Sequence, residues 1–119
     1  MLRRIREMFC SQKGFTLVEL MAVIAIIGVL VAISVPRYVD ATKEANVAKV
    51  QADLSSIDSA VSMYYAANGT YPTAMTDLAT YFDTTPTPPK DSYTIDGTTH
   101  RAVWNEFTAD QRANIKSKL

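Results

Sequence analysis

The sequence predicts an α+β protein of lollipop form. One long N-terminal α-helix, membrane-spanning in its first half, carries a small C-terminal head with a β-hairpin and short helices. Three observations predict it. Residues 15–35, FTLVELMAVIAIIGVLVAISV, are 21 residues with one charge, Glu19. Beyond them Val47, Val50, Leu54, Ile57, Val61 and Tyr64 recur at spacings of three and four, the period of a helix with one apolar face. The 52 residues of 68–119 then lose that period and fill with turn formers and β-branched residues.

The averages of the whole chain narrow the function classes. Its 119 residues suit one small domain, and 48% hydrophobic against 20% charged residues argues against a disordered chain. Lys+Arg 12 against Asp+Glu 12 gives zero net charge, unlike a nucleic-acid-coating protein, so no nucleic-acid partner is expected. One cysteine excludes an internal disulfide, and one histidine removes most metal and triad chemistry. No Ser/His/Asp, Cys/His or phosphate-loop constellation is present, so neither catalysis, nor a metal, nor a cofactor is expected.

The charges are unevenly placed. Residues 1–14 hold Arg3, Arg4, Arg6 and Lys13 against Glu7. The apolar zone that follows would be about 32 Å long as a helix, enough for a hydrocarbon core of ~30 Å. Its thirteen Phe, Leu, Ile and Val residues favour insertion. Together they contribute about −4 to −8 kcal/mol, against at most ~3 kcal/mol for one carboxylate. Arg37, Lys43 and Lys49 follow the span, interleaved with Asp40 and Glu44. The positive-inside bias therefore favours a cytoplasmic N-terminus.

The junction before the span is unlike a secretory signal, whose cleavage site follows the apolar run. Cys10 lies upstream of that run and is no convincing lipid site. Gly14-Phe15-Thr16-Leu17-Val18-Glu19-Leu20, after a short basic leader and opening an apolar helix, closely resembles the motif of type IV prepilins and type II secretion prepseudopilins. The resemblance implies that residues 1–14 are a leader, that a prepilin peptidase cuts between Gly14 and Phe15, and that the new amine on Phe15 is methylated. It also implies a subunit that waits as a single-pass protein in the inner membrane. The subunit then enters a periplasmic or cell-surface filament of identical or related subunits, through an assembly platform and its cytoplasmic ATPase.

Glu19 stands in the first turn of the helix, where the positive end of the dipole favours a carboxylate. An ionisable residue in a membrane segment is a functional candidate whose partner should be named. The family implies the Phe15 amine of a neighbouring subunit, a pairing that would set the register of assembly. The plainer alternative is that Glu19 caps its own helix. Further along, Pro36 lacks the N–H that would bond the Ala32 carbonyl, and Gly28 lies two turns earlier. Both loosen helix, so a kink or local melting is expected between them. Residues 36–67 continue the helix, and Asn68-Gly69 ends it.

Residues 68–119 should fold against the stripe from Val47 to Tyr64, being too few for a robust separate core. Gly69-Thr70-Tyr71-Pro72-Thr73 reads as a turn into a short helix around residues 74–82. Residues 84–89, TTPTPP, read as a rigid loop. Tyr93-Thr94-Ile95 and Thr98–Trp104 read as a hairpin closed by a two-residue Asp96-Gly97 turn. Thr108-Ala109-Asp110-Gln111 reads as a capping-box-like start for a last helix to Leu119. The late acids Asp91, Asp96, Glu106 and Asp110 are scattered, unlike the calcium loop of major pseudopilins.

The function implied is a structural filament subunit, a pilin or pseudopilin. A type II secretion pseudopilin and a competence-type DNA-uptake pilin are rivals within the class. An uncleaved single-span membrane-anchored module is a rival outside it. Removing residues 1–14 leaves eight basic and eleven acidic residues, so the zero average divides into a positive leader and a mildly acidic mature chain.

Overall fold

The computed structural model describes residues 13–119. Residues 1–12 of the expected leader, Cys10 among them, lie outside the described residues. Two compact units divide between Tyr38 and Val39.

Helix α1 spans Leu17–Asn68, 52 residues. Its part within the first unit has no polar face. Leu17, Val18, Ile24, Ile27, Leu30, Ile33 and Val35 are all at least half exposed, and Phe15 before it is 91% exposed. A helix apolar on every side belongs in a larger core or in lipid. It is long and apolar enough to cross a membrane, and none of its apolar window is buried.

The second unit, from Val39 onward, gathers everything else. The remainder of α1 is followed by a 3-10 helix at Met75–Tyr81, strands β1 (Tyr93–Ile95) and β2 (Ala102–Trp104), and helix α2 (Arg112–Lys118). The strands pair antiparallel, with Tyr93 opposite Trp104 and Ile95 opposite Ala102. A two-stranded sheet is marginal alone and needs a hydrophobic surface to lie on. That surface is α1. Val47, Val50, Leu54, Ile57, Ala60 and Val61 of α1 are buried together with Leu78, Tyr93, Ala102, Trp104 and Ile115, and Tyr64 packs at the margin. Each later element thus contributes one or two buried side chains to a seam the helix supplies.

The ends of α1 follow from local chemistry. Gly69 has φ +71, the left-handed conformation glycine adopts without steric cost, and its N–H donates to the Tyr65 carbonyl at 2.8 Å. The helix begins two residues later than a start at Phe15 and ends one residue past Ala67. It continues through Gly28 and Pro36, so the local melting expected there is not a feature of the single chain. One proline removes one hydrogen bond, and the helix continues on either side of it.

Two details of the head differ from expectation. The hairpin is not closed by a two-residue turn, because Asp96 to Arg101 all lie between the strands. The Asp96 carboxylate accepts the N–H groups of Thr98 and Thr99 and the Thr99 hydroxyl, which winds the loop around itself. The tight two-residue turn instead falls at Asn105-Glu106, both with positive φ, where Trp104 and Phe107 exchange backbone hydrogen bonds at 2.9 Å. The last helix starts at Arg112 rather than at Thr108. Gln111 does reach back to the Thr108 N–H at 3.3 Å, so the capping contact forms one turn ahead of the helix proper.

Candidate assembly site and the braces of the head

Among the described residues, Glu19 is brought against Thr16. The Thr16 N–H donates to Glu19 Oε2 at 2.8 Å, the Thr16 hydroxyl donates to the same oxygen at 3.1 Å, and the Glu19 N–H donates to Thr16 Oγ1 at 3.2 Å. That reciprocal pattern is a capping box, which satisfies two orphan amides of the first turn. The Thr-x-x-Glu spacing in the sequence is the signal for that box, and it adds Thr16 to the site beside Glu19. Gly14 and Phe15 precede the helix in exposed, non-helical backbone, with no side chain or backbone within 4 Å of a Cβ built on Gly14. An exposed peptide bond outside regular structure is the form a protease can bind. Gly28 and Pro36 are exposed inside α1.

The stripe residues Val47, Val50, Leu54, Ile57 and Val61 are 4% exposed or less. Beside them, acidic residues of α1 brace the head in three places. Asp58 accepts the backbone N–H of Ala102 at 2.6 Å through Oδ1, and the Arg101 guanidinium at 3.3 Å through Oδ2. A side chain of the helix thereby replaces the missing third strand beside β2. Asp53 accepts the Tyr93 hydroxyl at 2.7 Å and the Lys49 ammonium at 2.8 Å. Burial pushes the Tyr93 phenol above its ordinary value, and the adjacent Asp53 carboxylate adds to the shift. Lys49 also donates to the Thr87 carbonyl, tying the proline-rich loop to α1.

Glu44 is the third brace. It accepts Lys116 on one oxygen and Arg112 on the other, at 2.5 Å for the arginine. The Lys116 hydrogen bond holds its carboxyl below the usual value, with the fields of Lys116 and Arg112 adding to it. These three acids lie on flanks of the stripe. Their polar type gave no sign of which loop each would meet, so the periodic pattern could not find them.

Elsewhere in the head, Trp104 is fully buried with its indole N–H on the Lys90 carbonyl at 2.6 Å. His100 stacks on Tyr71 at 4.2 Å, and Tyr71 on Tyr65 at 4.4 Å, joining the hairpin loop to the end of α1. Among the described residues no three His, Cys, Asp or Glu side chains gather as metal ligands would.

Comparison with known proteins bears on both units. The family model described as "Prokaryotic N-terminal methylation motif" matches residues 10–35, and that described as "Type II secretion system (T2SS), protein G" matches residues 37–107. The chain is 36% identical over 100 residues to the type II secretion system core protein G of Dickeya chrysanthemi, covering 83% of this chain and 65% of the relative. It is 37% identical over 83 residues to the same-named protein of Klebsiella michiganensis, covering 70% of this chain and 58% of the relative. It is 57% identical over 51 residues to the type IV narrow pilus major component PilA5 of Thermus thermophilus, covering 43% of this chain and 44% of the relative. The chain thus spans less than two thirds of the length of each of these relatives. No solved structure matches it.

Proposed function

The chain belongs to the type II secretion system protein G family, and from that premise we propose that it is a non-catalytic structural subunit of a pilus-like filament, in the first place a secretion pseudopilus. The observation that carries this is the contrast between the two units. Every Phe, Leu, Ile, Val and Met side chain of residues 15–35 is at least half exposed, while the unit from Val39 onward has closed its own core. Contiguous apolar surface on that scale is a surface for lipid or for other subunits. The same helix serves both, spanning the bilayer first and packing against copies of itself afterwards.

On this reading residues 1–14 are a leader removed between Gly14 and Phe15 by a prepilin peptidase, which also methylates Phe15. Residues 15–35 are the transmembrane and assembly helix, 36–67 its amphipathic continuation, and 68–119 the head. Glu19 pairs with the amine of a neighbouring Phe15. Gly28 and Pro36 are where the helix loosens once packed among copies. The partners are related subunits, the inner-membrane platform and its ATPase.

A second reading, a type IV pilus subunit, is favoured by the 57% identity to the narrow-pilus component. Mass spectrometry of the chain from cells with active prepilin peptidase tests the common part. A mature N-terminus at N-methylated Phe15 supports it, and an intact residue 1 overturns it. Loss of protein export on deletion marks the secretion filament, and long surface fibres containing the chain mark the pilus.

A further inference from the structure

Charge is segregated within the unit from Val39 to Leu119. Gln51 Nε2 donates to the Ala109 carbonyl at 2.8 Å, Arg112 donates to Gln51 Oε1 at 2.7 Å and to Glu44, and Lys116 donates to Glu44. As the chain moves from Ala109 to Lys116, its partners on α1 move back from Gln51 to Glu44. Helix α2 therefore runs antiparallel to α1. Its last turn, with Lys116 and Lys118, lies at the end of the unit where the chain enters from the apolar segment.

That end is basic. It carries Lys43, Arg112, Lys116 and Lys118 against Asp40 and Glu44, and Glu44 is already answered by two of those cations. Lys118 is exposed and Lys43 half-buried, and neither makes an ion pair among the described residues. The rest of the unit is the reverse: Lys49, Lys90 and Arg101 stand against eight carboxylates. A unit acidic overall thus keeps its surplus of positive charge at one end.

We propose that this basic end, Lys43 of α1 with Lys116 and Lys118 of α2, is a docking surface for the phosphates of anionic phospholipids. The inference rests on the reading that residues 15–35 cross the bilayer. Lys43 is eight residues past Val35, about 12 Å of helix. The headgroup layer extends roughly 5–7 Å beyond the hydrocarbon. The lysine side chains cover the remaining distance. Surface potential attracts such residues only within about one Debye length, ~8 Å at physiological salt, so the acidic remainder of the head is left unaffected. Docking seats the waiting subunit on the bilayer and is released when assembly draws the helix out.

The test uses the full chain in nanodiscs, of phosphatidylcholine alone or with about one third phosphatidylglycerol. Acylation rates of individual lysine amines are read by mass spectrometry, with Lys90 as the internal reference. Lys43 and Lys118 should react roughly fivefold more slowly relative to Lys90 in the anionic discs, the factor that ~1 kcal/mol per basic residue implies. The difference should collapse at about 1 M salt. In a Lys43→Gln/Lys118→Gln variant, lipid-dependent protection of Lys116 should fall. Equal relative rates in both lipids, or undiminished protection of Lys116 in the variant, overturns the docking surface alone. A chain that will not stay in the discs overturns the membrane reading and this inference with it.

Discussion

Asp58 offers the sharpest test of how the head is held. Ala102 has no exposed surface, and its N–H points away from β1 to the Asp58 carboxylate at 2.6 Å. Asp58→Ala would leave that amide buried without a partner, a cost of about 1–3 kcal/mol, larger for a charged acceptor than a neutral one. The Arg101 contact adds at most ~1 kcal/mol, since both side chains are partly exposed. A total of about 1–4 kcal/mol follows, with about 2–3 kcal/mol at its centre. For a unit of this size each kcal/mol lowers Tm by roughly 4–8 °C, so a drop of about 10–20 °C is expected. Trp104, the one tryptophan and fully buried, reports unfolding of the full chain in detergent by its fluorescence. Asp58→Asn keeps a carbonyl for the Ala102 amide and loses only the charge, and should lie near half the loss. An Ala variant melting within about 3 °C of the parent, or an Asn variant as damaged as the Ala one, would refute the reasoning.

Three further outcomes are expected. Glu44 has its pKa lowered from 4.5, so its stabilisation is complete above the ordinary value and is lost as pH falls through the lowered one; Glu44→Gln should flatten the fall of Tm below about pH 4.5, and an unchanged slope contradicts the brace. Tyr93 has its pKa raised from 10.0, so its contribution is full below that value and is lost only at higher pH. Tyr93→Phe should therefore leave the phenolate absorbance titration unaltered up to about pH 11, and a missing titrating group there contradicts the Asp53 contact. Gly69→Ala places a Cβ at φ +71 and should destabilise the end of α1 by about 1 kcal/mol, read as faster amide exchange in its last turn.

What the sequence made legible, and what it hid, divides along a physical line. Val47, Val50, Leu54, Ile57 and Val61 were readable because helical period forces them onto one face, whatever that face meets. The apolar run from Phe15 was readable because its composition alone sets its solvent. Asp58 and Glu44 were not readable, since an acidic residue beside a stripe looks solvated until the segment opposite is known. The hairpin turn departs from its local signal. Asp96-Gly97 is a strong local turn signal, but the Asp96 side chain bonds Thr98 and Thr99 and builds a longer loop. Asn105-Glu106 lacks glycine yet adopts the tight turn, because the flanking Trp104 and Phe107 are anchored by packing on the helix. At Asp96 a local side-chain bond overrode the dipeptide signal, and at Asn105-Glu106 tertiary anchoring overrode it.

The capping box changes the question asked of Glu19. Self-capping and pairing with a neighbouring amine looked like alternatives, yet Thr16 engages Oε2 alone. A carboxylate accepts about four hydrogen bonds, so Oε1 is open to a cation while the box stays closed. Two substitutions separate the uses. Glu19→Ala removes both. Glu19→Gln retains an acceptor for the Thr16 N–H, since glutamine serves a capping box as well, and removes only the charge. If charge pairing sets assembly, the Gln variant should be cleaved and should show parental amide exchange at Leu17–Leu20, while failing to enter filaments as fully as the Ala variant does. Filaments of normal yield from Glu19→Gln together with poor ones from Glu19→Ala would mean that a well-formed helix start is what the assembly needs. The amine pairing would then be wrong.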